Sequence, residues 1–191
     1  LMIPVSLNLK NFLSYGDEVP TLDFTSLHVV CLSGANGHGK SALLDAITWA
    51  TWGEARKAAG DRKPDERLLR MGAVEMAVEF VFETDGERYR ILRKYRSDRG
   101  GKSSLEFQIY SLEGDGYHTI SQGSVANTQQ MIVESLRMDF RTFINSVFIL
   151  QGRADEFTRA SPAKRKEVLA EVLDLTHYET LEERAKRRSQ D

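Results

Sequence analysis

The run Gly34-Ala35-Asn36-Gly37-His38-Gly39-Lys40-Ser41 constrains this 191-residue chain more than any other feature. It fits G-x-x-x-x-G-K-[ST] without a mismatch, a pattern expected by chance in roughly one chain in a hundred of this length. Each part has a physical reason. Glycines let backbone amides turn inward around phosphates, a helix starting at Lys40 aims its positive dipole end at them, and the lysine neutralises β and γ oxygens. Ser41 can offer its hydroxyl to Mg²⁺. ATP and Mg²⁺ are therefore the expected cofactors, with Asn36, Gly37, His38, Gly39, Lys40, Ser41 and Ala42 lining the site. His38 reads as a solvent-facing spacer without chemistry of its own.

The flanks suit the motif. His28-Val29-Val30-Cys31-Leu32 is short, β-branched and nearly all apolar, which predicts a strand covered on both faces. From Lys40 to Trp52 the residues Leu43, Leu44, Ile47 and Ala50 recur at helical spacing, and Gly53 supplies a stop. The order is strand, glycine-rich loop, helix.

Elsewhere Val5, Leu7 and Leu9 alternate with polar residues and predict a half-buried strand. Residues 54–72 are charged and irregular, with Pro64 unfavourable inside a helix, and read as a surface loop. Val74–Phe82, Tyr89–Tyr95 and Leu105–Leu112 alternate as an antiparallel meander, joined by Asp85-Gly86 and by Asp98-Arg99-Gly100-Gly101. Ser124–Leu136 places Val125, Thr128, Ile132 and Leu136 on one helical face, and Phe140, Phe143 and Ile144 predict a second short helix covering the sheet. Val147–Leu150 reads as another buried strand, closed by Gln151-Gly152. Ser161-Pro162 starts a helix with proline at its first position, and its continuation past Thr176 has the charge pattern of a helix leaving the globule. The expected division is 1–160 for a nucleotide-binding lobe and 161–191 for helices entering a coiled coil.

Composition enters mainly by exclusion. A net charge of −2 and a sequence pI near 6.1 rule out a uniformly basic nucleic-acid sleeve, so any DNA contact is regional. Cys31 is the single cysteine, which precludes an internal disulfide and suits a reducing cytoplasm. No apolar run reaches the roughly 20 residues a membrane helix needs, so no membrane partner is expected. Leu1 ahead of Met2, and a charged ending without a helix stop, are the marks expected of a fragment.

Hydrolysis needs more than a phosphate cradle. An Asp-Glu pair closing an apolar strand would serve, but Asp65-Glu66 follows Arg62-Lys63-Pro64, and Asp155-Glu156 follows Gly152-Arg153-Ala154. Gln151 stands at a strand end where ligands of open α/β sheets gather, and an amide there reads either as a cap or as a group reaching Mg²⁺ or water.

Taken together, Leu9-Lys10-Asn11-Phe12, the phosphate loop with Ser41-Ala42-Leu43-Leu44-Asp45-Ala46-Ile47, and Phe143 through Gly152 resemble the SbcC-type ATPase of the double-strand-break repair complex, a relative of SMC proteins. Lys164 through Leu169, Leu173-Asp174-Leu175 and Tyr178-Glu179 complete the likeness, which spans nearly the whole chain. It implies an α/β fold, the N-terminal lobe of an ABC-type P-loop ATPase. That lobe has an antiparallel meander, a central sheet around the P-loop helix, and the start of a coiled coil. It also implies a C-terminal lobe carrying the signature and acidic motifs, neither found here, and a second head that sandwiches two ATPs. Hydrolysis by the fragment alone should be negligible. The partners so implied are a Mre-type (SbcD-type) nuclease and double-stranded DNA, in a cytoplasmic, nucleoid-associated setting.

By the same resemblance, Lys40 and Gln151 act in catalysis, Ser41 and Gln151 hold the metal, and Leu69, Arg70 and Met71 touch nucleotide. Archaeal members often carry an arginine after the Asn-Phe pair, where Leu13 stands here. Arg93, Lys94, Arg96, Arg99 and Lys102 crowd one hairpin, which fits either a solvated surface or a patch neutralising DNA phosphates. Other readings are an SMC-like tether in which ATP is a structural clamp, and a transporter of the ABC type, which the charged terminal helix disfavours.

Overall fold

The computed structural model describes residues 2–55, 64–98, 100–111, 116–146 and 161–162. These fall into two compact units that divide between Arg137 and Met138.

The first unit is built on a six-stranded antiparallel sheet. Its strands are β1 (Ile3–Lys10), β2 (Leu22–Asp23), β3 (Glu75–Thr84), β4 (Glu87–Arg96), β5 (Lys102–Ser111) and β6 (Gly116–Thr119), in the order β2-β1-β3-β4-β5-β6. The predicted meander is β3-β4-β5. Its first turn has Asp85 at φ 52° and Gly86 at φ 86°. Two successive left-handed residues make the turn whose twist matches the strands it joins.

Register explains the core. Leu7 pairs with Phe80, Phe80 with Ile91, and Ile91 with Phe107, giving one apolar row across four strands. All four residues are buried. Phe80, Phe82, Tyr89 and Phe107 stack in sequence with ring centroids 5.4, 5.6 and 5.3 Å apart. Fully burying each of the three phenylalanines stabilises the fold by about 1.5–3 kcal/mol, whereas Tyr89 is only half-buried.

Helix α1 (Lys40–Trp52) packs on β3 and β4, burying Ala46, Trp49 and Ala50. It ends where expected: Gly53 adopts φ 74° and donates its N–H to Trp49 O at 2.8 Å. The buried hydroxyls of Thr48 and Thr51 donate to the carbonyls of Asp45 and Ile47, so neither is orphaned. Helix α3 (Val125–Leu136) is capped by Ser124, whose Oγ accepts from Asn127 N at 3.1 Å, and it lies against β5 and α1. Of its expected face Thr128 and Ile132 are buried, whereas Val125 is exposed.

Two expectations need correction. Pro64 opens a short helix, α2 (Pro64–Leu68), within the expected loop. Proline is tolerated there because the first helical N–H has no intrahelical acceptor. Residues 28–32 form no strand, and Val29 is 90% exposed. A strand needs a ladder partner, and the described residues supply none to this run.

In the second unit α4 (Phe140–Ser146) forms where predicted, with Asp139 accepting from Thr142 N at 2.7 Å. The expected strand Val147–Leu150 and the helix continuing from Pro162 lie outside the described residues.

Candidate phosphate-binding site

The site is built from the bottom of α1 upward. Gly37 (φ 85°) and Gly39 (φ 83°) take left-handed conformations that side-chain-bearing residues disfavour, and Gly39 is the N-cap of α1. The helix therefore starts at Lys40 with the positive end of its dipole at the loop. A Cβ at Gly34 or Gly37 would meet nothing within 4 Å, so the cradle is open to solvent. Lys40 Nζ donates to Gly34 O at 2.5 Å and Ala35 O at 2.8 Å, holding the ammonium across the loop mouth. His38 and Ser41 are exposed, Ala42 is buried, and Ala42 N closes the first turn on Gly39 O at 3.0 Å.

Ammonium, helix-terminal amides and a hydroxyl form a donor set suited to a phosphate anion, and hydroxyl and phosphate oxygens suit a hard cation such as Mg²⁺. The residues present thus fit Mg-ATP.

Below the loop lies a second element, in which sequence reasoning singled out Asn11, Phe12 and Leu13 but missed Tyr15. The segment after β1, Asn11 to Gly16, carries Tyr15 Oη to within 3.2 Å of Gly39 O. Leu69 bridges to Phe12, and Arg70 Nη1 donates to Ser14 O at 2.5 Å, so the expected nucleotide-contacting segment 69–71 is tied to this support. Met71 is 98% exposed. The expectation for Gln151 lies outside the described residues, as does that for Arg99.

The basic hairpin does not present one surface. Strand alternation puts Ile91, Arg93 and Tyr95 on the inward face and Lys94 and Arg96 on the other. Arg93 is buried, which removes it as a contact for DNA phosphates. Its Nε donates to Ala50 O at 3.1 Å, its Nη2 bonds Gln129 Oε1, and its guanidinium lies 5.8 Å from the Trp49 ring. Gln129 Nε2 donates to Thr51 O at 2.9 Å. A cation set against the last carbonyls of α1 is favourably placed in the helix dipole. Burial pushes its pKa down to about 10, with the charge of Asp65 opposing the shift. Asp65 accepts from Trp49 Nε1 at 2.8 Å and Ser103 Oγ at 2.7 Å. The alternation Ile91-x-Arg93-x-Tyr95 was the signal that could have found this role. Lys94, Arg96 and Lys102 do share the outer face, where Arg96 pairs with Asp98 at 2.7 Å and approaches Glu75 at 3.7 Å.

Among the described residues no helix is long and apolar enough to cross a membrane. The family model described as AAA domain matches residues 6–191. The chain is 31% identical over 183 residues to the SbcC component of nuclease SbcCD from Deinococcus radiodurans, covering 95% of this chain and 19% of the relative. It is 34% identical over 181 residues to the DNA double-strand break repair Rad50 ATPase of Thermoplasma volcanium, covering 93% and 18%. A third relative, the SbcC component of nuclease SbcCD from Vibrio cholerae, is 28% identical over 193 residues, covering 95% and 19%. The chain thus spans about a fifth of the length of these relatives. With its P-loop geometry and a match that runs almost end to end, the chain belongs to the AAA domain family, as an N-terminal lobe of the SbcC type.

Proposed function

We propose that this lobe binds Mg-ATP at residues 34–42 and, joined to a C-terminal lobe and a second head, hydrolyses it in double-strand-break repair. The observation that carries the reading is Lys40, held across the mouth of the glycine loop at the start of α1.

The chain's own groups define the chemistry. Lys40 exchanges two neutral carbonyl acceptors for the β and γ oxygens, whose full negative charge adds a Coulombic attraction that a carbonyl dipole lacks, so the exchange favours the anion. The dipole and first-turn amides of α1 add to that attraction at no cost in rearrangement. Ser41 would hold the cation, which when bound would supply positive charge to neutralise the phosphates. Asn36, Gly37, His38, Gly39 and Ala42 line the cradle, while Leu69, Arg70 and Met71 approach the rest of the nucleotide. Gln151 is assigned to the cation and the attacking water.

Closure of two heads around ATP would gate a partner nuclease of the SbcD type and hold double-stranded DNA, in the cytoplasm at the nucleoid. The names of the relatives, a nuclease component and break-repair ATPases, support this reading. DNA phosphates would meet Lys94, Arg96 and Lys102 on the outer sheet face, and Arg99 is assigned to the same contact. Such contacts set affinity without reading sequence.

The test is Lys40→Ala in the head reconstituted with its C-terminal lobe. Turnover should fall by about 10²–10³, the loss typical of removing one charge-stabilising donor. Retained turnover would sink the assignment.

A further inference from the structure

We propose that the Asn11–Gly16 loop is a built-in support for the phosphate loop, and that Tyr15 is the positioning residue through which it sets phosphate affinity. The proposal rests on the phosphate-site reading above and deepens it.

The contact is close and specific. Tyr15 Oη donates to Gly39 O at 3.2 Å, and its ring edge lies 3.2 Å from where a Cβ of Gly39 would stand. That Cβ would also collide with Ser14 Oγ, so the support is seated directly against the backbone of the P-loop. Gly39 is the residue at which the loop turns into α1, and its orientation decides where the amides of Lys40 and Ser41 point. The hydroxyl therefore acts on phosphate through the backbone it holds. Burial raises the Tyr15 pKa, which keeps the phenol a donor at neutral pH.

A positioning element must itself be rigid, and this one is held from several sides. Asn11 N closes the loop on Gly16 O at 2.7 Å, and Tyr15 N bonds Phe12 O at 2.9 Å. Leu13 N donates to Leu68 O at 2.7 Å, Arg70 N to Asn11 O at 2.9 Å, and Arg70 Nη1 to Ser14 O at 2.5 Å. Phe12 is fully buried 5.6 Å from the Trp49 ring of α1. Asn11 and Leu13 sit at φ 51° and 52°, a conformation a leucine keeps only where its surroundings impose it, and such residues cluster at functional sites. The loop is thus anchored to both ends of the P-loop helix, through Phe12 at Trp49 and through Tyr15 at Gly39.

The experiment measures dissociation constants of the 191-residue chain for Mg-ATP and for inorganic tripolyphosphate, together with its melting temperature. Wild type, Tyr15→Phe, Tyr15→Leu and Lys40→Ala are compared. Tyr15→Phe removes only the hydroxyl, and losing one hydrogen bond predicts affinity for both probes weaker by about 3–10-fold, with the melting temperature lowered by no more than a few degrees. Tyr15→Leu should weaken both further. Loss confined to ATP would overturn the proposal, because it would mean direct contact with the nucleoside. Unchanged affinity for both probes would overturn it as well, as would weakening fully accounted for by a loss of folded protein at the measuring temperature. If wild type binds neither probe, or Lys40→Ala binds as wild type does, the phosphate-site reading fails and the proposal falls with it. That outcome differs from failure at Tyr15 alone.

Discussion

Phe80 and Val29 both belong to runs rich in strand-forming residues, yet Phe80 is fully buried and Val29 is 90% exposed. The β3 run sits between two ladders, with β1 on one side and β4 on the other. The 28–32 run has no ladder partner among the described residues. Strand propensity is a fitness for a pleated, half-buried surface, so it takes effect only when neighbours provide that surface. The difference separates a scaffold that completes itself from an approach to the phosphate loop that leaves apolar surface open. Leu27, Val30 and Leu32 are also exposed, which makes the open surface a continuous run.

Four substitutions sharpen or break this comparison. Phe80→Ala should cost about 3–5 kcal/mol of stability in urea unfolding, the usual range for emptying a buried aromatic site. Arg93→Met should cost about 1–3 kcal/mol, because it strips a donor from Gln129 Oε1 and Ala50 O. It should leave the salt dependence of DNA binding unchanged, since a buried cation releases no counterions. A change in that dependence would restore Arg93 to the DNA surface.

A smaller effect is expected of Glu75→Gln, read as a shift in the acid-unfolding midpoint. The hydrogen bond from Lys10, then its charge, holds the Glu75 carboxyl below its ordinary value of 4.5. Its contribution is therefore present above that value and lost as pH falls through the lower folded-state value. The shift should vanish in high salt because the pair is exposed. Val29→Ser should change stability by less than about 0.5 kcal/mol, as expected of a surface site. A cost near that of Phe80→Ala would mean the run is covered in solution, and the comparison would collapse.

How much could be read beforehand follows the range of the forces involved. Helix α1 was legible to its ends, because apolar spacing and the glycines at 39 and 53 act within a few residues. The Asp85-Gly86 hairpin was legible for the same reason. Short β2 and β6 carry too few residues for a period to register, and their places come from β1 and β5. In the candidate site the glycine loop was plain, whereas Tyr15 beneath it was not, since 24 residues separate Tyr15 from Gly39.

By itself, then, the sequence determined the phosphate loop, the helix that follows it and the pleated meander, all of them patterns of local stereochemistry and short-range periodicity. Tertiary structure alone decided that Arg93 faces inward onto the end of α1, that Asp65 joins Trp49 to Ser103, and that the loop after β1 supports Gly39. Each of these joins residues far apart in the chain. Pairing of that kind is selected by burial and hydrogen-bond satisfaction across the whole lobe, which no local window contains.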